Sequence, residues 1–175
     1  MRNIFFFILL FFTCLCRQTS AQTLRSAFLF DLEISLDPPQ AVGPALNGTR
    51  LIFPFKDGKV TGEAIHGKVL NCSGEWGLAL DSATFKMDSR ATIKTADGAL
   101  IYMAYSGYNH ASGKSAALLQ QGRGHELSPD DYYFRSIPVF ETSSPKYAWL
   151  NHTVAVGVGR FSAPGKIIYR IYAVK

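Results

Sequence analysis

An apolar side chain stands at every second position along residues 28–36, the most regular stretch of the sequence. The apolar face of this stretch carries Phe28, Phe30, Leu32, Ile34 and Leu36. A period of two is typical of a β-strand with one buried face. Asp37-Pro38-Pro39 ends the strand, because proline donates no ladder hydrogen bond and restricts the residue before it.

Strand patterns recur along the rest of the chain, separated by turn residues. We predict further strands over residues 50–55, 83–94, 99–105, 132–139, 147–158 and 166–174. Asp57-Gly58 is predicted to form a hairpin turn into Val60, and Ala96-Asp97-Gly98 to form another between residues 94 and 99. No stretch has a helical period with caps. The pattern therefore predicts an all-β domain, either a sandwich or a single antiparallel barrel.

Residues 106–129 interrupt this even spacing. The segment contains Gly107, Gly113, Gly122 and Gly124 and has no strand pattern. Connections longer than about 12 to 15 residues without secondary structure are usually functional lids or disordered segments. Both alternatives stay open here, a lid over a barrel mouth and a mobile excursion.

The first residues have the order of a secretory signal peptide. Met1-Arg2-Asn3 is basic, residues 4–12 are uninterruptedly apolar, and Thr19-Ser20-Ala21 is a small-residue cleavage site. The apolar run is too short for a membrane anchor, which needs roughly 20 residues. We expect cleavage after Ala21, leaving residues 22–175 as a single domain that is extracellular or in the lumen of the secretory pathway.

Charge and cysteine content limit the kinds of partner and disulfide that the mature chain is expected to have. Loss of Arg2 and Arg17 lowers the formal net charge from +5 to about +3, a small excess that does not favour nucleic acid. Cys14 and Cys16 leave with the signal, so the remaining Cys72 has no partner for an internal disulfide. We expect Cys72 to be a small buried apolar side chain, with a nucleophile or an intermolecular link as alternatives. Formation of a homo-oligomer stays open.

Three Asn-x-Ser/Thr sequons follow the signal. They begin at Asn47, Asn71 and Asn151. In a eukaryotic source, we expect glycosylation at Asn47, which lies in a loop rich in glycine and proline, and at Asn71. Asn151 is a weaker candidate, because it flanks a predicted strand and a buried asparagine cannot carry a glycan.

No motif in the sequence specifies a reaction. Gly-x-Ser-x-Gly, glycine-rich phosphate loops and His-Glu-x-x-His are all missing. The four histidines are dispersed without metal-ligand spacing, so we expect neither a metal nor a cofactor.

Polar and aromatic residues at a spacing of two nevertheless recur within strand patterns. The pairs are Asp88 with Arg90, Tyr133 with Arg135 and Trp149 with Asn151, and Glu75-Trp76 precedes a strand. Each pair shares one face of its strand. If those faces line a barrel interior, ionisable groups and rings converge on one cavity. The alternative is a solvated outer face, with Phe85, Met87, Ala91 and Ile93 forming the buried face of residues 83–94.

These residues resemble the family known as domain of unknown function 3237, from about Phe28 to the C-terminus. The motifs are Gly62-Glu63, Gly67-Lys68-Val69-Leu70, Gly74-Glu75-Trp76, Asp88-Ser89-Arg90, Thr95-Ala96-Asp97-Gly98-Ala99-Leu100-Ile101-Tyr102, Tyr133-Phe134-Arg135, Pro138-Val139-Phe140-Glu141-Thr142 and Tyr147-Ala148-Trp149-Leu150-Asn151. The resemblance implies an antiparallel, lipocalin-like β-barrel and an inward orientation for the polar pairs. It implies no established reaction, and Glu75 stands where the family usually has an aspartate.

The leading hypothesis is a secreted barrel that binds a small, partly aromatic or hydrophobic molecule and moves protons on it, as a cofactor-independent isomerase or cyclase. Glu75 or Asp88 is the expected base, with Arg90 and Arg135 holding an anionic oxygen. The expected hydrogen-bond donors are Tyr102 and Tyr133, and the expected ligand-binding residues also include Trp76, Phe140, Trp149 and Asn151. The alternatives are a non-catalytic extracellular carrier and a lactone or ester hydrolase.

Overall fold

Ten β-strands form one closed antiparallel barrel in the computed structural model, which describes residues 23–175. The strands are β1 (Ser26–Leu36), β2 (Gln40–Ala45), β3 (Gly48–Thr61), β4 (Gly67–Val69), β5 (Gly74–Ala79), β6 (Thr84–Thr95), β7 (Leu100–His110), β8 (Tyr133–Glu141), β9 (Ala155–Ala163) and β10 (Lys166–Val174). One α-helix, α1 (Gly113–Gln120), and three short 3-10 helices (Gly124–Glu126, Pro129–Asp131 and Ala148–His152) complete the described part of the chain.

Pairing of the first strand with two others closes the ring. β1 pairs with β10 on one side and with β3 on the other. From β10 the order continues through β9, β8, β7 and β6, and both β4 and β5 fill the place between β6 and β3. A closed ring leaves few unpaired strand edges, which suits a domain held together by its apolar interior.

The interior is filled at one end of the barrel. The side chains packed there include Phe30, Leu32, Ile65, Ile93, Ile101, Met103, Phe140, Leu150 and Ile171. All of them are almost fully buried. The β6–β7 turn lies at this closed end, and α1 follows β7 at the opposite end.

Several predicted strands are confirmed. The predicted strand 166–174 coincides with β10, and 28–36 and 83–94 differ from β1 and β6 by two residues or fewer at each end. The predicted turn at Asp57-Gly58 is wrong, because β3 continues to Thr61. Gly58 instead marks a close approach between strands, where an added Cβ would lie 2.7 Å from a methyl carbon of Val69.

Other differences concern short or irregular elements. The predicted strand 147–158 is a 3-10 helix at Ala148–His152 followed by β9, and β2, β4 and β5 were not predicted. Residues 106–110 extend β7, and the next segment contains α1, which no periodicity predicted. No helix within residues 23–175 is long and apolar enough to cross a membrane. The predicted signal peptide, residues 1–21, lies outside the described residues.

The prediction that Cys72 is buried is wrong. Cys72 is exposed in the turn between β4 and β5, with a φ of 70°.

Candidate functional site

The half of the barrel nearest α1 is hollow and encloses a cavity of about 700 Å³. Its mouth is formed by residues 37–39, residues 81–84, α1 with the 3-10 turn after it, and the β9–β10 turn. The walls are mainly apolar and aromatic, and include Ile34, Leu36, Leu51, Phe53, Phe55, Phe85, Met87, Phe134, Phe161 and Ile167. Apolar walls with a few polar groups are characteristic of small-molecule sites.

A carboxyl group lies on the wall of this cavity. Glu75 is on β5 and is only 7% exposed. The next inward position is Gly77, where an added Cβ would overlap the ring of Phe85. Phe85 therefore lies over the backbone of β5 at Gly77, next to Glu75 on the same face of the strand, and contributes to excluding water.

Two donors hold the Glu75 carboxyl in place. The backbone N–H of Asp88 donates to Oε1 at 2.6 Å, and the Ser89 hydroxyl donates to Oε2. Burial raises the pKa of Glu75 to about 7, although these two hydrogen bonds offset part of the rise. At neutral pH the carboxyl is therefore poised between its acid and its base form.

The strand register places three polar side chains in one row across the interior wall. Glu75 is paired with Ser89 across β5 and β6, and Ser89 with Tyr105 across β6 and β7. The buried Tyr105 hydroxyl lies near Ser89 and Tyr169 but has the geometry of a hydrogen bond with neither. Burial raises the pKa of both Tyr105 and Tyr169, so both phenols keep their protons at neutral pH.

Two further polar atoms without a hydrogen-bond partner belong to residues lining the cavity. They are Oδ1 of Asn109, which follows Tyr105 by four residues along β7, and Nδ1 of His125 in the 3-10 turn after α1. Buried polar atoms are nearly always satisfied in folded proteins, by protein, water or ligand. Together with Tyr105, these atoms give the cavity a set of hydrogen-bonding positions that the protein itself does not use.

The inward orientation predicted for Asp88 and Arg90 is wrong. Met87 and Ser89 point inward, so the residues at the alternate positions of β6 point outward. Asp88 and Arg90 form an ion pair at 2.8 Å on the outer surface, with about half of each side chain exposed. The guanidinium of Arg90 also lies over the ring of Trp76, which faces outward on β5.

The same correction applies along β7 and β8. Tyr133 and Arg135 are exposed, since they alternate with the buried Phe134 and Ser136, and Arg135 stacks over Tyr133. Tyr102 lies between two buried residues of β7 and thus faces outward.

The remaining predicted ligand-binding residues lie away from the cavity. Phe140 points inward but packs against Phe30 in the filled half of the barrel. Trp149 and Asn151 are exposed in a 3-10 helix, where the Asn151 amide exchanges two hydrogen bonds with the backbone of Thr142. Of the ten predicted catalytic and ligand-binding residues, all within residues 23–175, only Glu75 lines the cavity.

Sequence reasoning missed Ser89, Tyr105, Asn109, His125 and Tyr169. A usable signal existed for Ser89, because it is a polar residue in the middle of the apolar face of β6, between Met87 and Ala91. Tyr105 and Asn109 share the inward phase of β7, which continues into a segment that has no strand pattern. His125 reaches the mouth only through the local turn.

Glycosylation and metal binding are the remaining predictions about individual residues. Asn47 and Asn71 are both exposed, and their glycosylation stays a prediction. Within residues 23–175, no three histidine, cysteine, aspartate or glutamate side chains are grouped in a way that could hold a metal ion.

The site is suited to proton transfer. A carboxyl group that titrates near pH 7 can accept a proton from carbon or oxygen and return it elsewhere. A neutral phenol in the same row of the wall, such as Tyr105, can donate a hydrogen bond to an oxygen that gains negative charge. The apolar walls exclude water from both groups.

Known proteins share this architecture. A UPF0311 protein from Clostridium acetobutylicum is 29% identical over 158 residues, which cover 89% of this chain and 98% of the relative. The crystal structure of a β-barrel-like protein from Acinetobacter baumannii matches with a TM-score of 0.76 at 34% identity, covering 90% of this chain and all of that one.

A more distant structure shares the fold alone. An enzyme from Penicillium herquei matches with a TM-score of 0.65 at 18% identity, covering 89% of this chain and 97% of that one. A family model described as a protein of unknown function, DUF3237, matches residues 24–174. The chain therefore belongs to the DUF3237 family.

Proposed function

We propose that the barrel binds a neutral, largely apolar small molecule and catalyses proton transfer on it, as an isomerase or cyclase that uses Glu75 as general acid and base. The observation that carries the proposal is the buried Glu75 carboxyl, with its pKa near 7, on the wall of a mostly aromatic cavity. General acid–base groups work best when their pKa lies near the working pH.

The expected chemistry begins with a proton on a carbon next to a carbonyl. The Glu75 carboxylate takes that proton, and the electron pair moves onto the carbonyl oxygen to give an enolate. The Tyr105 hydroxyl donates a hydrogen bond to this oxygen. Glu75 then returns the proton to a different carbon, which isomerises the molecule, or to the atom left basic by an internal ring closure.

The charges of the cavity support a neutral ligand. Lys166 is the only lysine or arginine among its described lining residues, and it lies exposed at the mouth. An anionic ligand would meet Glu75 without a lining cation to compensate, because Arg50, whose charge slightly lowers the pKa of Glu75, donates to the Trp76 carbonyl and does not line the cavity. The part first assigned to Arg90 and Arg135, the stabilisation of an anionic oxygen, passes in this proposal to Tyr105, whose hydroxyl has no protein partner.

The fold is compatible with catalysis, since the Penicillium herquei protein that shares it is described as an enzyme. At 18% identity this likeness supports only the capacity of the barrel to enclose a reaction. The assignment of Glu75 rests on the geometry of this chain.

The proposal is tested by proton exchange. An enolisable aromatic ketone such as β-tetralone is incubated with the protein in deuterated buffer near neutral pH, and loss of its α-proton signal is followed by NMR. We expect the wild type to accelerate deuteration and Glu75→Gln to abolish the acceleration. Glu33→Gln, an exposed carboxyl on β1, is the matched control. Equal rates for the wild type and Glu75→Gln would contradict the proposal.

A carrier is the second candidate, because both Glu75 oxygens already accept hydrogen bonds from the protein. In that case the role of the carboxyl is structural, to accept the hydrogen bonds that connect β5 to β6. Native mass spectrometry of the purified protein identifies any retained ligand. Tight binding without deuteration, and unchanged binding by Glu75→Gln, would favour the carrier.

We also propose that the protein is secreted and glycosylated at Asn47 and Asn71. The signal-like residues 1–21 and the exposure of both asparagines support this. Expression in a eukaryotic secretory host, followed by glycosidase digestion of the medium, tests it. Asn47→Gln and Asn71→Gln should each remove one step of the mobility shift, and retention of the protein inside the cell would contradict secretion.

A further inference from the structure

The outer face of β8 is unusually apolar at its centre. Buried and exposed positions alternate strictly along Tyr133–Glu141. Two branched aliphatic residues, Ile137 and Val139, point outward and are 61% and 55% exposed. A single exposed aliphatic side chain is ordinary, whereas a contiguous exposed apolar patch marks a contact surface.

The neighbouring strands make these two residues a ridge. On β7, Ser106 is paired with Ile137 and Ala104 with Val139, and both of those outward side chains are small. On the other side, β8 and β9 pair only at Arg135 and Ser136.

The open side of β8 is also apolar. Val154, Val156 and Trp149 are exposed in β9 and in the segment that leads to it. We refer to Ile137, Val139, Trp149, Val154 and Val156 as the β8 patch.

Opposite charges flank the ridge at equal distances. Arg135 lies two residues before Ile137, and Glu141 lies two residues after Val139, all on the outer face. Among the described residues, neither charge takes part in an ion pair. The outward side chains of β8 from Arg135 to Glu141 therefore run cation, apolar, apolar, anion. A second copy of this strand in the antiparallel direction would place each cation opposite an anion.

We propose that the β8 patch is the two-fold contact surface of a homodimer. Two copies of β8 pack face to face and antiparallel, so that Arg135 of each subunit meets the partner's Glu141 and Ile137 meets the partner's Val139. Such an isologous contact is the commonest form of protein self-association. The five apolar side chains and the flanking charges form the centre of the contact, and the surface around them completes the ~800 Å² that each partner contributes to a standard interface.

Charge complementarity favours a second copy over other occupants. An anionic membrane surface would repel Glu141, and the patch offers no cluster of basic residues to such a surface. The residues that form the cavity mouth, including α1 and residues 81–84, lie outside the patch. Dimerisation therefore leaves the cavity open.

The test is sedimentation equilibrium over micromolar concentrations with charge-reversed variants. We expect a wild-type dimer, and a Kd raised about tenfold or more by Arg135→Glu or by Glu141→Arg, because each places like charges across the contact. The double variant Arg135→Glu/Glu141→Arg should recover wild-type affinity within a few fold. Recovery on combining two damaging changes is specific to a direct pairing.

Matched controls separate contact from folding. Lys68→Glu reverses an exposed charge on β4, and Leu46→Asp changes an almost fully exposed apolar residue; both should leave the dimer intact. Ile137→Asp should give a monomer with an unchanged thermal midpoint at high dilution. A wild type that stays monomeric, a double variant that stays weak, or flotation of monomers with lipid vesicles would each overturn the proposal.

Discussion

Burial of Glu75 makes the stability of the barrel depend on pH in a definite direction. The folded protein holds the proton up to about pH 7, whereas the unfolded chain releases it near the ordinary value of 4.5. Between these values the folded state binds more protons, so the free energy of unfolding falls as the pH rises. Above pH 7 the folded protein carries the full cost of ionising the buried Glu75 carboxyl, which lowers the free energy of unfolding by on the order of 3 kcal/mol.

Glu75→Gln should remove this dependence. We expect the variant to be more stable than the wild type above pH 7 and to lose that advantage as the pH falls below about 5. Urea denaturation across this range measures the difference. Asp88→Asn, on the outer surface, is the control; it should shift the Glu75 transition only slightly, because its charge makes a small contribution to the raised pKa. Parallel pH curves for the wild type and Glu75→Gln would refute the raised pKa.

Tyr105 offers a second prediction at the same scale. Its buried hydroxyl has no hydrogen-bond partner, and a buried unsatisfied polar group costs about 1 to 3 kcal/mol. Tyr105→Phe should therefore stabilise the unliganded protein by about 1 kcal/mol and slow any proton transfer in the cavity. Tyr169→Phe is the comparison, because that hydroxyl contacts the Met87 sulfur at 3.5 Å. Thermal unfolding measures the change in stability, and the deuteration rate measures the change in proton transfer. A Tyr105→Phe variant less stable than the wild type would contradict the prediction.

The sequence shows why one site residue was predictable and the others were not. The alternation along β6 puts Phe85 and Met87 inward, and this alone places Asp88 and Arg90 outside. The family resemblance had favoured the opposite orientation for the same pair. Ser89 and Tyr105 become partners of Glu75 only through the register between strands, which no single-strand pattern specifies.

At the scale of elements, α1 closes part of the cavity mouth with few ties to the barrel. Ala116 and Leu119 contact the cavity, and Gln120 donates from its side-chain amide to the Ser82 carbonyl at 2.6 Å. The helix has eight residues, none of them buried. An element with so little buried surface belongs to the less stable part of a fold.

Gln120→Ala should speed ligand exchange without weakening the barrel. Loss of one hydrogen bond, about 1 kcal/mol, predicts a dissociation rate that is several fold higher. Stopped-flow release of a neutral apolar dye such as Nile red measures it. Lys114→Ala, in the first turn of α1 and exposed, should leave the rate unchanged. Equal rates in both variants would show that α1 does not control access.

The absence of α1 from the sequence prediction has a physical cause. Ser112 makes no side-chain cap, the first turn contains no acidic residue, and no residue of the helix is buried. Periodicity arises from burial, so a helix that covers an opening carries little of it. By contrast, β10 pairs with β1 and β9 along its whole length, and inward and outward side chains alternate along it. Its bounds could therefore be predicted to the residue.

For the whole molecule, the barrel divides into a filled half that carries stability and a hollow half that is available for binding. Two phenylalanines provide a matched comparison of the halves. Phe140 is buried against Phe30 in the filled half. Phe53 lies on the cavity wall, edge-on to Phe85, and remains partly accessible.

Phe140→Ala should lower the free energy of unfolding by about 3 to 5 kcal/mol, since it opens a void in close-packed surroundings. Phe53→Ala should cost clearly less, because its ring already faces open space and its removal enlarges a cavity that exists. Binding should respond in the reverse order, with Nile red affinity reduced by Phe53→Ala and retained by the folded fraction of Phe140→Ala. Urea denaturation and dye titration of the two variants give both comparisons. Each phenylalanine reports on one half of the barrel alone. Equal stability losses, or loss of dye binding in folded Phe140→Ala, would therefore contradict the assignment of binding to the half that contains Phe53.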